Sequence, residues 1–566
     1  MPPPTGSIDD QIANLSRRLA EVESRLAAIE GASPPAAAET FAESPPPALR
    51  PAFDFLGSLT NLGRSFIILG GAFLLRALTE AGTWPPAVGV SVGLVYALTW
   101  LVTSARSAAA GNRLRAIFDG GTALTIGFPL IVEAALKFGL FSPATAAVTL
   151  GLFTAGALVS ANHGRVPVLA WLATVGGLAT GLMLFARTGA LAPVAFYFTS
   201  LGVATLWLGY LREWRGLRWP SGAMACLAVL GVTIRAISQP PVDSAAVASA
   251  SQVLLLVAYL GSIAVRTLVR GRQVIVFEVV QTVLVLIVGL GGMIAVGYTA
   301  GGGNLLLGGM ILGLGAAAYA VSFQFLARHA PGALNFYFYS SLALILVMVG
   351  TWTALGGATR VLALTGFGVA LAVAWSRSSR AMLGAHTAIA LVAAAEDAGL
   401  LTLGLAAFTG GLTTAGLPAW PVLVVLSAVV VLSGNRLTEG PGSRLSATDG
   451  PGLALGLVAL TGLAGMVAPV AAVLANAIAL PFSTDLAITI NTAVLSLLAV
   501  GCARLPRSGR LSQLGRLAYP LLTATGVKLL LVDVRLSQAS TLFAGLACYG
   551  AALVLVPRLR KMTERP

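Results

Sequence analysis

Seven ionisable side chains interrupt segments that are otherwise apolar, and they are the residues in this sequence best suited to carry chemistry. The seven are Arg76, Glu80, Glu133, Arg235, Glu396, Lys528 and Asp533. Counted from the nearest arginine-bearing turn at about 1.5 Å per helical residue, they fall roughly 18–27 Å along their helices. Charged groups at such depth in a membrane are costly unless paired, and they mark candidate sites. Their nearly balanced signs favour binding of an anionic or zwitterionic ligand, including a lipid-linked one, in an outward-facing polar cavity.

Arg76 gives the strongest support for this hypothesis. Only eleven uncharged residues separate it from Arg64, a length of about 18 Å against a hydrocarbon core of roughly 30 Å. Arg76 has an opposite charge four residues away on its own helix, Glu80, and Glu133 has Lys137 in the same relation. The alternative interpretation is that each charged group reaches the outer interface or forms a purely structural pair.

Other polar positions favour structural roles. Asp119 and Glu278 fall near the ends of apolar segments and are predicted to pair with loop arginines. His386 is predicted to be a hydrogen-bonded packing residue, with a proton relay as the alternative. We find no sequence motif for a metal site, a phosphate-binding loop or a catalytic nucleophile. We therefore expect no catalytic residue, no metal and no cofactor.

The composition places these residues in a membrane protein. Of the 566 residues 57% are hydrophobic and 10% charged, against about 25% charged in soluble domains. Although the net charge is +14, the arginines occur in short clusters between apolar runs, as in cytoplasmic loops. That distribution argues against a nucleic-acid partner and for membrane lipids.

About eighteen apolar segments follow residue 51, which predicts an all-α, polytopic fold with about eighteen transmembrane helices. Of the 35 basic residues, 28 fall in the N-terminal arm, the C-terminal tail or the turns after every second segment. By the positive-inside rule, both termini are cytoplasmic. Within residues 379–421, Glu396 and Asp397 interrupt one long apolar stretch. There we expect a helix to about Glu396 and then a short interfacial helix over residues 400–409.

The N-terminal arm has a heptad pattern of apolar residues. The seam consists of Ile8, Ile12, Leu15, Leu19, Val22, Leu26 and Ile29. It predicts either a coiled coil that makes a homo-oligomer through residues 8–30 or a single amphipathic helix. The predicted organisation is a cytoplasmic helix over 1–31, a Pro/Ala-rich linker over 32–52 and a helical membrane domain over 53–566.

Residues 63–82 (GRSFIILGGAFLLRALTEAG), the coil and linker before them, and residues 207–220 (WLGYLREWRGLRWP) carry a family resemblance. They resemble the domain-of-unknown-function-2339 family of predicted polytopic bacterial membrane proteins. The resemblance implies a bacterial inner-membrane protein with many helices. It implies no reaction, substrate or catalytic residue.

Three classes of function fit these observations. A transporter or flippase is favoured by the helix number, the short loops, the prolines Pro129 and Pro469 within spans, and the charged layer. A non-catalytic envelope scaffold is favoured by the coil and by the lack of motifs. A membrane-embedded transferase acting on lipid-linked substrates is the third class, disfavoured by the absence of a long outer loop. These observations favour a protein that is not an enzyme, with the transferase as the enzymatic alternative.

Overall fold

The computed structural model describes residues 20–21, 55–214, 216–238, 244–299, 304–326, 334–378, 381–411, 419–434, 449–505 and 512–562. Contacts within the chain define two units, Met1–Gly71 and Ala72–Pro566. In the first unit, the described residues comprise the start of one long helix and the helical residues Ala20 and Glu21. The seven seam residues and the linker over 32–52 lie outside the described residues.

All secondary structure in the described ranges is helical. The helices of the first half are α1 (Phe55–Glu80), α2 (Pro86–Ala109), α3 (Arg113–Leu136), α4 (Pro143–Gly164), α5 (Pro167–Thr188), α6 (Leu191–Arg212), α7 (Arg218–Ser238), α8 (Ala245–Val269) and α9 (Val276–Thr299). Those of the second half are α10 (Leu305–Gln324), α11 (Leu334–Ala354), α12 (Gly357–Ser378), α13 (Ala381–Asp397), α14 (Leu400–Thr409), α15 (Ala419–Gly434), α16 (Asp449–Ala477), α17 (Thr484–Arg504), α18 (Gln513–Leu536) and α19 (Ala539–Met562).

Local sequence signals set many of the helix ends. Helix α4, for example, begins where the Ser142 hydroxyl accepts a hydrogen bond from the Thr145 amide, with Pro143 in the first turn. A serine cap followed by proline is a favoured helix start, because proline lacks the amide that would otherwise be unsatisfied. The helix ends at Gly164, and the next residue, Arg165, closes its last turn with a left-handed backbone conformation. Short signals of this kind allow long helices to be joined by turns of only a few residues.

Sixteen helices in the described ranges are long and apolar enough to cross a membrane. Helices α13 and α14 pass the same test as a bent pair, and α15 is apolar but shorter. The predicted polytopic all-α fold is therefore confirmed, and the number of eighteen spans stays a prediction. Pro129 and Pro469 lie inside α3 and α16, as predicted.

The two helices predicted within residues 379–421 are present in the structure. Helix α13 ends at Asp397 and α14 covers Leu400–Thr409, with an angle of 71° between them. Gly399 makes the turn with φ of 77°, a left-handed conformation that a glycine adopts without strain. The short helix is confirmed.

Helices that follow one another in sequence form the most extensive contacts, as in α2 with α3, α6 with α7, α10 with α11, and α12 with α13. Small residues permit the close approach. A Cβ added to Gly177 would lie 2.3 Å from the Tyr197 hydroxyl, and one added to Gly308 would lie 2.5 Å from the backbone nitrogen of Ala354. Close packing through glycine is typical of membrane helices, where burial in lipid supplies no hydrophobic force between them.

Candidate functional site

The structure brings three of the predicted residues together at the ends of α1 and α3. Arg76 Nε lies 2.9 Å from Glu80 Oε1, and Arg76 Nη1 lies 2.9 Å from Glu133 Oε1. Lys137 Nζ lies 2.5 Å from Glu80 Oε1. The four groups therefore form a chain of alternating charge, which we call the α1–α3 tetrad. Lys137 was expected beside Glu133 on its own helix, but it pairs across to α1 instead.

A close contact between the ends of α1 and α2 lies beside the tetrad. The Thr79 side chain is buried, and a Cβ added to Gly89 would lie 2.0 Å from the Thr79 hydroxyl oxygen. Only glycine at position 89 leaves room for this contact. The charged ends of the tetrad remain accessible, since the side chains of Arg76 and Lys137 are 42% and 49% exposed. A site of this kind can exchange its internal ion pairs for those of a ligand.

Two more of the predicted residues, Lys528 and Asp533, form a separate and much more buried pair on α18. Their side chains are 1% and 3% exposed, and Lys528 Nζ lies 2.6 Å from Asp533 Oδ1. The ammonium also donates to Thr492 Oγ1 at 2.6 Å and to the Ile488 carbonyl at 3.1 Å. Three acceptors match the three N–H donors of the lysine. Thr492 in turn donates to the second carboxylate oxygen of Asp533.

A change of helix type brings this pair together. The segment Leu529–Asp533 is π-helical, whereas the residues before it, Ala518–Lys528, form an α-helix. In a regular α-helix, residues five apart point about 140° away from each other. The wider π-turn, with its i→i+5 hydrogen bonds, returns Asp533 to the face of Lys528. Such turns occur frequently at functional sites.

Three helices enclose the buried pair. Thr492 belongs to α17, and a Cβ added to Gly545 of α19 would lie 3.8 Å from Asp533 Oδ2. One turn beyond Thr492 on α17, the buried Ser496 hydroxyl has no hydrogen-bond partner among the described residues. The surroundings of Lys528 are therefore polar along one face of α17 and closely packed on the side of α19.

The last two predicted residues have other neighbours. Arg235 Nη1 donates to the Gly189 carbonyl at 2.7 Å. Glu396 is exposed and interacts electrostatically with Arg360. The described hydrogen bonds and ion pairs thus place the seven residues in separate groups, and one cavity shared by all seven stays a prediction.

Sequence reasoning missed the ion pair made by Asp397, the residue next to Glu396. Arg360, at the start of α12, donates to both carboxylate oxygens of Asp397, with its Nε 2.6 Å from Oδ2. Its guanidinium lies 3.9 Å from the centre of the Trp352 ring. Arg360 precedes its partner by 37 residues, and no spacing rule connects them. The available signal was the acidic pair at 396–397 in an apolar stretch.

Asp119 and Glu278 pair with arginines as predicted, but these arginines, Arg115 and Arg266, lie within helices and not in loops. Glu278 is paired with Arg266 at 2.9 Å, and Asp119 lies 3.7 Å from Arg115. His386 Nδ1 lies 3.0 Å from the Tyr319 hydroxyl and is buried among aromatic rings. In the described ranges, no three His, Cys, Asp or Glu side chains are arranged to hold a metal ion.

Comparison with known proteins gives no relative. No family model, no curated protein and no solved structure matches this chain. The resemblance to the domain-of-unknown-function-2339 family therefore stays a prediction.

Proposed function

We propose that this chain is a secondary transporter in which the Lys528–Asp533 pair takes part in coupling to a cation. The observation that carries the proposal is the burial of a complete ion pair among α17, α18 and α19. A protein with a purely scaffolding role has no need of such a pair, because apolar side chains of similar volume are often as stable or more stable.

The geometry suggests how coupling would work. Asp533 uses one carboxylate oxygen for Lys528 and the other for Thr492. A proton or a sodium ion that binds Asp533 competes directly with the Lys528 ammonium. Lys528 then keeps Thr492 and the Ile488 carbonyl as acceptors, so the pair has a second arrangement available. Two discrete arrangements of one element are what alternating access requires.

The ligand that we propose is zwitterionic or lipid-linked. In the α1–α3 tetrad two cations are balanced by two carboxylates. A headgroup that carries both a phosphate and an ammonium can replace these pairs without leaving a charge unmatched, whereas a simple anion cannot. We further propose a bacterial inner-membrane location with both termini cytoplasmic, which the distribution of arginines supports.

The test uses the full chain in proteoliposomes on a solid-supported membrane, with charge displacement recorded after a proton or a sodium concentration jump. The variant is the double substitution Lys528→Met/Asp533→Leu, which leaves no unpaired buried charge. We expect a saturable signal from the wild type for one of the two cations and none from the double variant. Arg187→Gln, an exposed charge on α5, is the control and should behave as the wild type.

Signals of equal size from the wild type and the double variant would overturn the proposal, as would a wild type that does not differ from protein-free liposomes. The scaffold alternative depends on residues 8–30, so deletion of residues 1–50 separates the two. A scaffold loses its complex size and its cellular phenotype together, whereas a transporter keeps its charge displacement.

A further inference from the structure

The arginine-rich segment over residues 207–220 has no part in the proposed transport site. In the structure it meets the turn between α8 and α9, where arginines lie over aromatic rings. The Arg270 guanidinium is 4.9 Å from the centre of the Trp207 ring, and that of Arg266 is 4.9 Å from the Tyr210 ring. Guanidinium groups stack favourably on aromatic faces and keep their N–H donors in the ring-parallel plane.

A buried network fixes one half of this surface. Glu278 accepts hydrogen bonds from Arg266 at 2.9 Å and from the Tyr210 hydroxyl at 2.7 Å. It also accepts one from the Ile275 amide at 2.9 Å. The charge of Arg266 is therefore neutralised by Glu278 and is not available to a ligand. The network also fixes the position of Tyr210, which packs against Trp207.

Trp207 is fixed as well. Its indole N–H donates to the Ser262 hydroxyl at 3.1 Å, and its ring packs edge-on against Tyr210 at 5.8 Å. The ring thus presents a defined face to Arg270. Arg270 and Arg272 are exposed, and in the described part of the chain no acceptor binds either guanidinium. A pre-oriented cation without a counter-charge remains at the end of two membrane helices.

From this arrangement we propose a binding site for the phosphate group of an anionic phospholipid, with Arg270 as the principal ligand and Arg272 as a second cation. A planar guanidinium gives two parallel N–H bonds to a phosphate, which an ammonium group does not. Lipid rather than a soluble phosphate compound is favoured because the flanking residues Val269 and Val276 are apolar and 79% and 75% exposed. Acyl chains cover such surfaces, and basic groups between helix ends recognise lipid headgroups.

This site is independent of the proposed transport function, because it shares no residue with the α1–α3 tetrad or with the Lys528–Asp533 pair. It makes the bound lipid a structural partner of the turn between α8 and α9. In this proposal, the segment at 207–220 contributes the Trp207 ring, on which the Arg270 guanidinium stacks.

The test is native mass spectrometry of the full chain in detergent, titrated with phosphatidylglycerol and, separately, with phosphatidylethanolamine. The variants are Arg270→Gln, Arg270→Lys and Trp207→Leu, each checked for an unchanged melting temperature. Arg377→Gln is the matched control, since Arg377 is also an exposed arginine at the end of a span. We expect about tenfold weaker phosphatidylglycerol binding for Arg270→Gln, an intermediate loss for Arg270→Lys, and no change for Arg377→Gln.

Equal losses for Arg270→Gln and Arg377→Gln would overturn the proposal, because binding would then reflect overall charge alone. Equal affinity for the two lipids would overturn it too. A third measurement adds inorganic phosphate to the lipid-loaded protein. Displacement of the lipid by millimolar phosphate would assign the site to a soluble phosphate group, against the lipid that we propose. If Trp207→Leu fails to fold, the two Arg270 variants decide the matter.

Discussion

Lys528 and Asp533 are five residues apart on one helix, and the charged atoms that join them are 2.6 Å apart. The π-helical turn Leu529–Asp533 makes this contact possible. Both side chains are almost fully enclosed by protein, so removal of either one leaves a buried charge alone.

The first prediction concerns the stability of this pair. Lys528→Met alone should lower the free energy of unfolding by about 3–5 kcal/mol, because Asp533 loses its counter-charge inside the bundle. The double substitution Lys528→Met/Asp533→Leu should restore the wild-type value or exceed it. Denaturation in detergent, followed by tryptophan fluorescence, measures both. A double variant less stable than the single one would mean that the pair itself holds the helices together.

The α1–α3 tetrad should behave in the opposite way. The side chain of Arg76 is 42% exposed and that of Glu133 is 22% exposed, so water or lipid headgroups screen their attraction. A double-mutant cycle with Arg76→Ala and Glu133→Ala should give a coupling energy of about 1 kcal/mol or less. Raising the salt concentration should reduce it further. A coupling of several kcal/mol, insensitive to salt, would place the tetrad in the dry interior of the membrane.

We expect Glu278 to stabilise the turn between α8 and α9. Glu278→Gln should lower the free energy of unfolding by about 3 kcal/mol, because Arg266 keeps its buried charge but loses the carboxylate that balances it. Glu213→Gln is the control: Glu213 is exposed, and this substitution should change stability by about 0.5 kcal/mol or less. Thermal unfolding of the two variants side by side provides the measurement. Similar melting temperatures for both would show that the network around Glu278 contributes nothing to stability.

Replacement of glycine by alanine should change stability in opposite directions at two positions, Gly465 and Gly501. A Cβ added to Gly465 of α16 would lie 1.9 Å from the Leu403 carbonyl oxygen in α14, so Gly465→Ala should cost about 2 kcal/mol or more. A Cβ added to Gly501 of α17 meets no atom within 4 Å. Gly501→Ala should stabilise by about 0.5–1 kcal/mol through helix propensity. Melting temperatures that move in the same direction would contradict the close contact of α14 with α16.

The helices themselves were largely predictable, because their signal is local. Apolar runs long enough to span a membrane locate them, and residues such as Ser142 and Pro143 set their starts. Even the short helix Leu400–Thr409 follows from the acidic pair that interrupts the apolar stretch before it. Such features need only neighbouring residues to be recognised.

The partners of the charged residues were less predictable, and the reason is geometric. Depth along a helix can be counted from the sequence, and this gave Lys528 and Asp533 different depths. The count assumes a uniform α-helix, and this assumption fails at the π-turn Leu529–Asp533. Direction around the helix axis is harder still. Lys137 bonds to Glu80, 57 residues away, because α1 and α3 happen to face each other there.

The sharp bend at Gly399 has a consequence for the whole second half of the chain. Helices α13 and α14 meet at 71°, so whether the bent pair crosses the bilayer once or turns back as a re-entrant loop fixes the parity of all later crossings. The side on which the C-terminus emerges is therefore decided at one glycine. Side-specific reporters fused before residue 379 and after residue 562 would read that parity directly.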